Sequence, residues 1–261
     1  MQTNAIHNII NSSQINYSDG EFFLSQPFTI LLTACTHPRT ETNTPPVLRE
    51  CQIEQSIGFY SSLPFVKNVV VVDNSDYDIM QFNKFDKVIA LHVSPVVDCG
   101  ADTKKFYVNK TAGEIQLIRT ALESIPNNDF IVKITGRLLI PELEGIITHL
   151  GFTKFNVAQY YPKEHWLSTW FFGAPCKMLK DLFRDEFDMH GTLEHMLFER
   201  LPSKIIKPIK GEWEVVGKPD SACVYHTPNY RFDGVTELEK KDGYSIIEKL
   251  FPSLIQKGNK L

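Results

Sequence analysis

The first chemistry this chain offers is an apolar run that stops on cations. Phe130-Ile131-Val132-Lys133-Ile134-Thr135-Gly136-Arg137-Leu138-Leu139-Ile140 reads as a buried strand ending on a lysine, a Thr-Gly pair and an arginine. In open α/β sheets ligands gather at the carboxyl ends of strands, and a guanidinium there suits a phosphate group. A structural ion pair between Arg137 and a nearby carboxylate fits the same residues, and both readings stand at this point. Two other strand ends carry small polar groups, Thr33, Ala34 and Thr36 on one and Asp73, Asn74 and Ser75 on the other. Hydroxyls and backbone amides can hold a nucleotide base, Asp73 can accept from a ribose hydroxyl, and Arg137 can meet a diphosphate in bidentate fashion.

The elements that must position these groups alternate. A first strand over 28–36 closes at His37-Pro38, and the apolar spacing of Ile53, Ile57 and Tyr60 predicts a helix over 47–63, stopped by Pro64. Strands follow over 69–72 and 87–93, then a helix over 111–124 with Ile115, Ile118, Ala121 and Leu122 on one face, then the run at Phe130. This alternation predicts a three-layer α/β/α, Rossmann-like architecture with a mainly parallel central sheet. Beyond Ile140 the pattern becomes aromatic-rich, with strands expected over 156–161, 168–174 and 222–226 and helices over 175–183 and 192–201. The chain then divides into a nucleotide-handling half at about 28–150, an acceptor-handling half at about 151–235 and a C-terminal helix within 236–261.

Composition narrows the classes. At 261 residues one elaborated domain is the expectation. A formal charge of -4 with the 27 basic residues scattered argues against nucleic acid. Five cysteines, Cys35, Cys51, Cys99, Cys176 and Cys223, form no C-x-x-C pair, which points to reduced thiols and a cytoplasmic protein. The polar segment 1–26 resembles neither a signal peptide nor a membrane span. The tail from Tyr244 to a basic end at Lys257 and Lys260 has helical apolar spacing. It suits docking on its own domain, and also contact with the inner face of a membrane. Dinucleotide, P-loop, nucleophile-elbow and zinc motifs are all missing.

The order of Thr33-Ala34, a helix with Arg49, Asp73-Asn74-Ser75, Asn109-Lys110-Thr111-Ala112-Gly113-Glu114 and Lys133-Ile134-Thr135-Gly136-Arg137 resembles GT-A-type glycosyltransferases. The likeness is strongest to bacterial enzymes of capsule and lipopolysaccharide glycan synthesis and spans roughly residues 28–230. It implies a GT-A-like fold and transfer of a hexosyl or N-acetylhexosaminyl group from a nucleotide-diphosphate sugar to a hydroxyl of an oligosaccharide or lipid-linked glycan. Thr33, Ala34, Thr36, Arg49, Asp73, Asn74, Ser75, Lys110, Gly113, Glu114, Lys133, Thr135, Gly136 and His226 would then surround the nucleotide sugar.

Where the fold usually holds a metal on an Asp-x-Asp motif, this chain has Thr135-Gly136-Arg137. No residue set is assigned to a metal. Arg137 with Lys110 or Lys133 can neutralise the leaving diphosphate, while Asp102 and His226 keep Mn²⁺ or Mg²⁺ open. An inverting displacement needs a base near the acceptor hydroxyl, and the resemblance points to Glu194, with His195 as the alternative. Glu194 also suits a helix first turn for purely structural reasons. Tyr160, Trp170 and Phe172 are candidate acceptor platforms, although alternate strand positions must face the core. A sugar nucleotidyltransferase, or a non-catalytic nucleotide- or glycan-binding subunit, remains the alternative.

Overall fold

The computed structural model describes residues 28–37, 46–94, 103–140, 143–187, 191–209, 212–216 and 225–229. Strand β1 (Phe28–Ala34) is buried at every position, and β2 (Asn68–Asp73) at all but its first. Strands covered on both faces read as unbroken apolar runs, which is why the sequence exposes them so clearly. They are joined by β3 (Val88–His92) and β4 (Phe130–Thr135), followed by β5 (Phe155–Val157), β6 (Tyr160–Tyr161), β7 (Trp166–Leu167), β8 (Phe171–Pro175) and β9 (Ile206–Pro208). The main sheet runs β3-β2-β1-β4-β8-β5-β9. Strands β1 to β4 pair in parallel, β8 opposes both β4 and β5, and β9 runs with β5. One opposing strand in seven leaves the sheet mainly parallel.

Helices cover both faces. Helix α1 (Pro46–Ser62) starts on a proline, whose missing N–H costs nothing at that position, and stops ahead of Leu63-Pro64. Together with α3 (Leu143–Ile147) it packs on the face formed by Ile30, Leu32, Val69, Val71, Val132 and Ile134. The opposite face, with Leu31, Val70, Val72, Ile131 and Phe172, takes α2 (Thr103–Ser124), α4 (Cys176–Arg184) and α5 (Leu193–Arg200). Successive strand residues thus feed two separate cores, as the two-residue period requires. This is the three-layer α/β/α class with a mainly parallel sheet expected from the sequence.

Several boundaries differ. Helix α2 begins at Thr103 rather than Thr111, so Asn109 to Glu114 lie inside a helix and not at its start. The Lys-rich stretch before Thr111 has no apolar period of its own, but nothing in it breaks a helix. Strand β4 ends at Thr135, and the apolar residues Leu138, Leu139 and Ile140 belong to a buried loop instead. The strand expected at 222–226 is β11 (Tyr225–Asn229), which forms an antiparallel ribbon with β10 (Glu212–Val216). The expectations for segments 1–26 and 236–261 lie outside the described residues. Among the described residues Cys35, Cys51 and Cys176 are free thiols, and no helix is long and apolar enough to cross a membrane.

The loop after β4 is held mainly by the Tyr60 hydroxyl, with the Ser56 hydroxyl a longer second donor to the Leu138 carbonyl at 3.4 Å. Tyr60, fully buried on α1, donates to the Leu138 carbonyl at 2.9 Å and accepts from the Ile140 N–H at 3.1 Å. Removing it leaves two buried backbone groups without that partner, which costs about 1–3 kcal/mol. Tyr60→Phe is therefore expected to lower the unfolding free energy by about that amount in urea titration. An unchanged midpoint would show that the loop stands without the bridge.

Candidate functional site

The carboxyl ends of β1, β2 and β4 lie side by side, because Ala34 is in register with Asp73 and Thr33 with Thr135. Asp73 closes the first gap. It is fully buried, and its carboxylate accepts from the Thr36 N–H at 2.8 Å, the Thr36 hydroxyl at 2.5 Å, and both the N–H and the hydroxyl of Ser75. The Ser75 hydroxyl in turn accepts from the His37 N–H at 3.0 Å. Asp73, Thr36 and Ser75 therefore tie the β1 and β2 loops together. The expectation that Asp73 accepts from a ribose is corrected, since both its oxygens are turned into the protein.

Gly136 closes the second gap. Its N–H donates to the Thr33 carbonyl at 2.8 Å, and a Cβ there would lie 3.0 Å from that same oxygen. Only glycine fits without moving backbone, and the turn from Thr135 to Leu138 then carries Arg137 at its outer corner. Arg137 is half-buried and makes no hydrogen bond or ion pair among the described residues. Burial first, and then the charge of Arg49, hold its pKa below the ordinary arginine value. Arg49, reaching up from α1, donates to the Cys35 carbonyl at 3.0 Å and is itself lowered by burial, with the Asp73 charge pulling the other way. Two partly dehydrated guanidiniums at neighbouring strand ends make a site poised for an anion. Among the described residues no carboxylate pairs with Arg137, the structural alternative for it.

Lys133 is corrected. It is 1% exposed in the middle of β4, with its ammonium 2.5 Å from Glu114 Oε1 and 2.7 Å from the Thr169 carbonyl, so it cannot reach a diphosphate. Thr33 donates its hydroxyl to the same Glu114 oxygen at 2.9 Å and is likewise buried. Glu114 on α2 thus serves the core and not a ligand. Gly113 lets Asn74 lie against α2, since a Cβ there would meet the Asn74 amide nitrogen at 2.8 Å. The Asn74 Oδ1 is buried without a hydrogen-bond partner. Lys110 is exposed, and its charge acts on Glu194 across the gap between α2 and α5.

Glu194 lies in the first turn of α5, where a carboxylate is favoured by the helix dipole. Its Oε1 accepts from the Thr169 hydroxyl at 2.7 Å. Burial on its own would raise its pKa. Hydrogen bonds from Thr169, from its own N–H and from Thr192, with the charge of Lys110, outweigh that and hold it below the ordinary 4.5. His195 is exposed, its Nδ1 3.0 Å from the Thr192 hydroxyl.

Among the aromatics, Phe172 is fully buried and stacked on Phe155, which removes it as an acceptor platform. Tyr160 is half-buried against Phe198, Trp170 is half-buried, and Tyr161 is the more exposed ring, paired with Trp166. His226 falls on β11, where its backbone pairs with Val215; its side chain, like Asp102, lies outside the described residues.

Sequence reading missed Thr169 and Gln52. Gln52 is 2% exposed with neither amide atom hydrogen-bonded, and it shares the Arg49, Ser56 and Tyr60 face of α1. Its signal was only the three- and four-residue spacing of polar residues on a buried helix. Cys35 is no nucleophile, because burial and then Asp73 push its thiol up to about 11. Among the described residues no group of three His, Cys, Asp or Glu side chains could hold a metal ion, and the two ligands considered from the sequence, Asp102 and the His226 side chain, lie outside them.

The fold and these strand ends define a three-layer α/β domain with a mainly parallel sheet and a cationic rim. No family model and no curated protein matches the chain. Among solved structures it is similar to glucosyl-3-phosphoglycerate synthase from Mycobacterium tuberculosis, in complex with Mn²⁺, UDP and glucosyl-3-phosphoglycerate. The identity is 14% over 94% of this chain and 85% of that one, with a TM-score of 0.43. It is also similar to 4-diphosphocytidyl-2C-methyl-D-erythritol synthase, at 14% identity over 86% of this chain and 99% of that one, with a TM-score of 0.41. These are partial likenesses of overall arrangement, and the class rests on strand order and direction.

Lys133→Met should lower stability by about 3 kcal/mol, because it strands the Glu114 carboxylate, which keeps a quarter of its exposure and so falls at the mild end for a broken buried pair. Chemical denaturation checks this, and Lys133→Met combined with Glu114→Gln should recover most of the loss. Equal destabilisation in both variants would show that the pair is not what the lysine provides.

Proposed function

We propose that the chain is a glycosyltransferase that moves a sugar from a nucleotide-diphosphate donor to a hydroxyl of a glycan. The observation that carries this reading is Arg137, a half-buried guanidinium with no partner among the described residues, whose charged neighbour is a second guanidinium, Arg49. A diphosphate supplies two anionic groups to such a pair, and bidentate contacts would oppose the charge that grows on it as the glycosidic bond breaks. The nucleoside would lie along the loops that Asp73 organises, beside Asn74, whose buried Oδ1 can accept from a ribose hydroxyl. Glu194, ionised at neutral pH, would take the proton of the acceptor hydroxyl, with Lys110 beside it. Residues 28–150 would then serve the donor and 151–235 the acceptor, with Tyr160, Tyr161 and Trp170 as stacking surfaces.

The bacterial surface glycan, capsule or lipopolysaccharide, is the acceptor class that the sequence resemblance supports. Since the donor set at Thr135-Gly136-Arg137 does not suit a divalent ion, the reaction is derived through the arginines alone.

A thermal-shift series with UDP, GDP, CDP and ADP, with Mn²⁺ and with EDTA, tests the donor site. At least one nucleotide should raise the melting temperature in EDTA, and Arg137→Ala should abolish that rise with the fold intact. Turnover of a nucleotide sugar should fall by roughly 100-fold or more in the same variant. No stabilisation by any nucleotide, or wild-type turnover in Arg137→Ala, would end this reading.

A further inference from the structure

The bond from Thr169 to Glu194 is the end of a longer chain of contacts. Thr169 is 8% exposed, in the short segment between β7 and β8, and it uses both its polar oxygens. Its hydroxyl donates to Glu194 Oε1 at 2.7 Å, while its carbonyl accepts from the buried Lys133 ammonium at 2.7 Å. Lys133 is held in turn by Glu114, which also receives the Thr33 hydroxyl. The residues flanking Thr169 are fixed as well. The Ser168 N–H donates to the Gln159 carbonyl at 2.9 Å, the Ser168 hydroxyl accepts from the Gln159 N–H at 3.0 Å, and the Trp170 carbonyl accepts from the Thr135 N–H at 2.9 Å. Three consecutive residues are thus pinned, so the Thr169 side chain has one direction to point.

We propose that Thr169 is a positioning residue for Glu194, and that the buried Lys133–Glu114 pair sets Thr169, so that the strand ending on Arg137 also aims the acceptor-side carboxylate. This rests on the reading of Glu194 as the acceptor base. A hydroxyl has one proton to donate, and spending it on Glu194 favours the ionised form and a single orientation. A base held in one place avoids the loss in rate that a misaimed group brings. Among the described residues the charge acting on Glu194 is that of Lys110 from α2, and the Thr192 hydroxyl, just before α5, adds a second hydrogen bond. Lys110 is exposed and screened by solvent, so its influence should fade with salt where that of Thr169 does not. The arrangement joins residues of both halves: Thr33 and Lys133 come from strands on the donor side, and Thr169 and Glu194 from the acceptor side.

The test reads the Glu194 carboxyl directly in the full chain by carbon-13 NMR, with its signal assigned through Glu194→Gln. In wild type it should titrate below 4.5, because a carboxyl whose folded pKa is depressed stays ionised until the pH falls through that lower value. Thr169→Val should raise it by about one unit, Thr169→Ser should restore it, and 0.5 M salt should leave the difference in place. Lys133→Met with Glu114→Gln should move it in the same direction by a smaller amount, and it carries the test if Thr169→Val does not fold. An unmoved titration in either variant, or a shift that serine fails to reverse, overturns the proposal. The function reading fails separately: wild-type turnover in Glu194→Gln, alongside a titration that Thr169→Val still moves, removes Glu194 as the base while leaving its anchoring by Thr169 intact.

Discussion

An ammonium group buried in the middle of a central strand has to be neutralised where it sits, and Lys133 imposes that requirement on much of this molecule. Dehydrating a lysine costs several kcal/mol unless a carboxylate and further acceptors surround it. Here the carboxylate comes from Glu114, and α2 must lie across β4 and β1 at a height that brings it within 2.5 Å. The remaining acceptor is the Thr169 carbonyl, so the segment leading into β8 must pass over the same point. Beside Leu31 and two residues below the Thr33–Thr135 pair, the lysine fixes the relative placement of three layers immediately beneath the candidate site. Apolar packing alone would tolerate sliding of those layers far better than this fixed set of polar distances does.

The same logic, in a milder form, governs the strand ends. Asp73 and Gly136 do no chemistry in this account, yet each removes a degree of freedom from the rim. Asp73 takes four hydrogen bonds from two loops, and Gly136 lets β4 approach the end of β1 more closely than any side chain would permit. Some polar groups stay unsatisfied. Among the described residues Arg137 makes no hydrogen bond or ion pair, and the buried amide atoms of Gln52, the Asn74 Oδ1, the Gln116 Oε1 and the Asp181 Oδ2 have no hydrogen-bond partner. Asn156 shows the contrast, with one buried side chain making four hydrogen bonds. Of these unpaired groups, Arg137 and Asn74 stand at the carboxyl ends of strands, where a ligand can meet them.

Particular residues show where reading the chain succeeds and where it stops. The runs at Phe28, Val69 and Phe130 announced buried strands because both their faces are covered, and Pro64 marked a helix end through a steric rule that acts locally. The start of α2 was not legible, because from Thr103 to Lys110 the apolar residues Phe106-Tyr107-Val108 form one run with no helical spacing. Lys133 and Thr33 were read as ligand contacts because residue type and strand position say nothing about which way a long side chain turns. Phe172 was read as a platform for the same reason, whereas its place on the β8 face buries it against Phe155.

By itself, then, the sequence determined the alternation of strands and helices, the two-faced burial of β1, β2 and β4 and the placing of Arg137 just past a strand end. These follow from periods and stop signals that operate over a few residues. Tertiary structure alone decided which polar groups are consumed by the core and which are left facing outward. Thr33 and Glu114 are 81 residues apart, Lys133 and Thr169 are 36 apart, and Thr169 and Glu194 are 25 apart. Hydrogen bonds of that reach exist only once the layers are stacked. They turn Lys133 inward to the core and leave Arg137 at the rim without a carboxylate among the described residues.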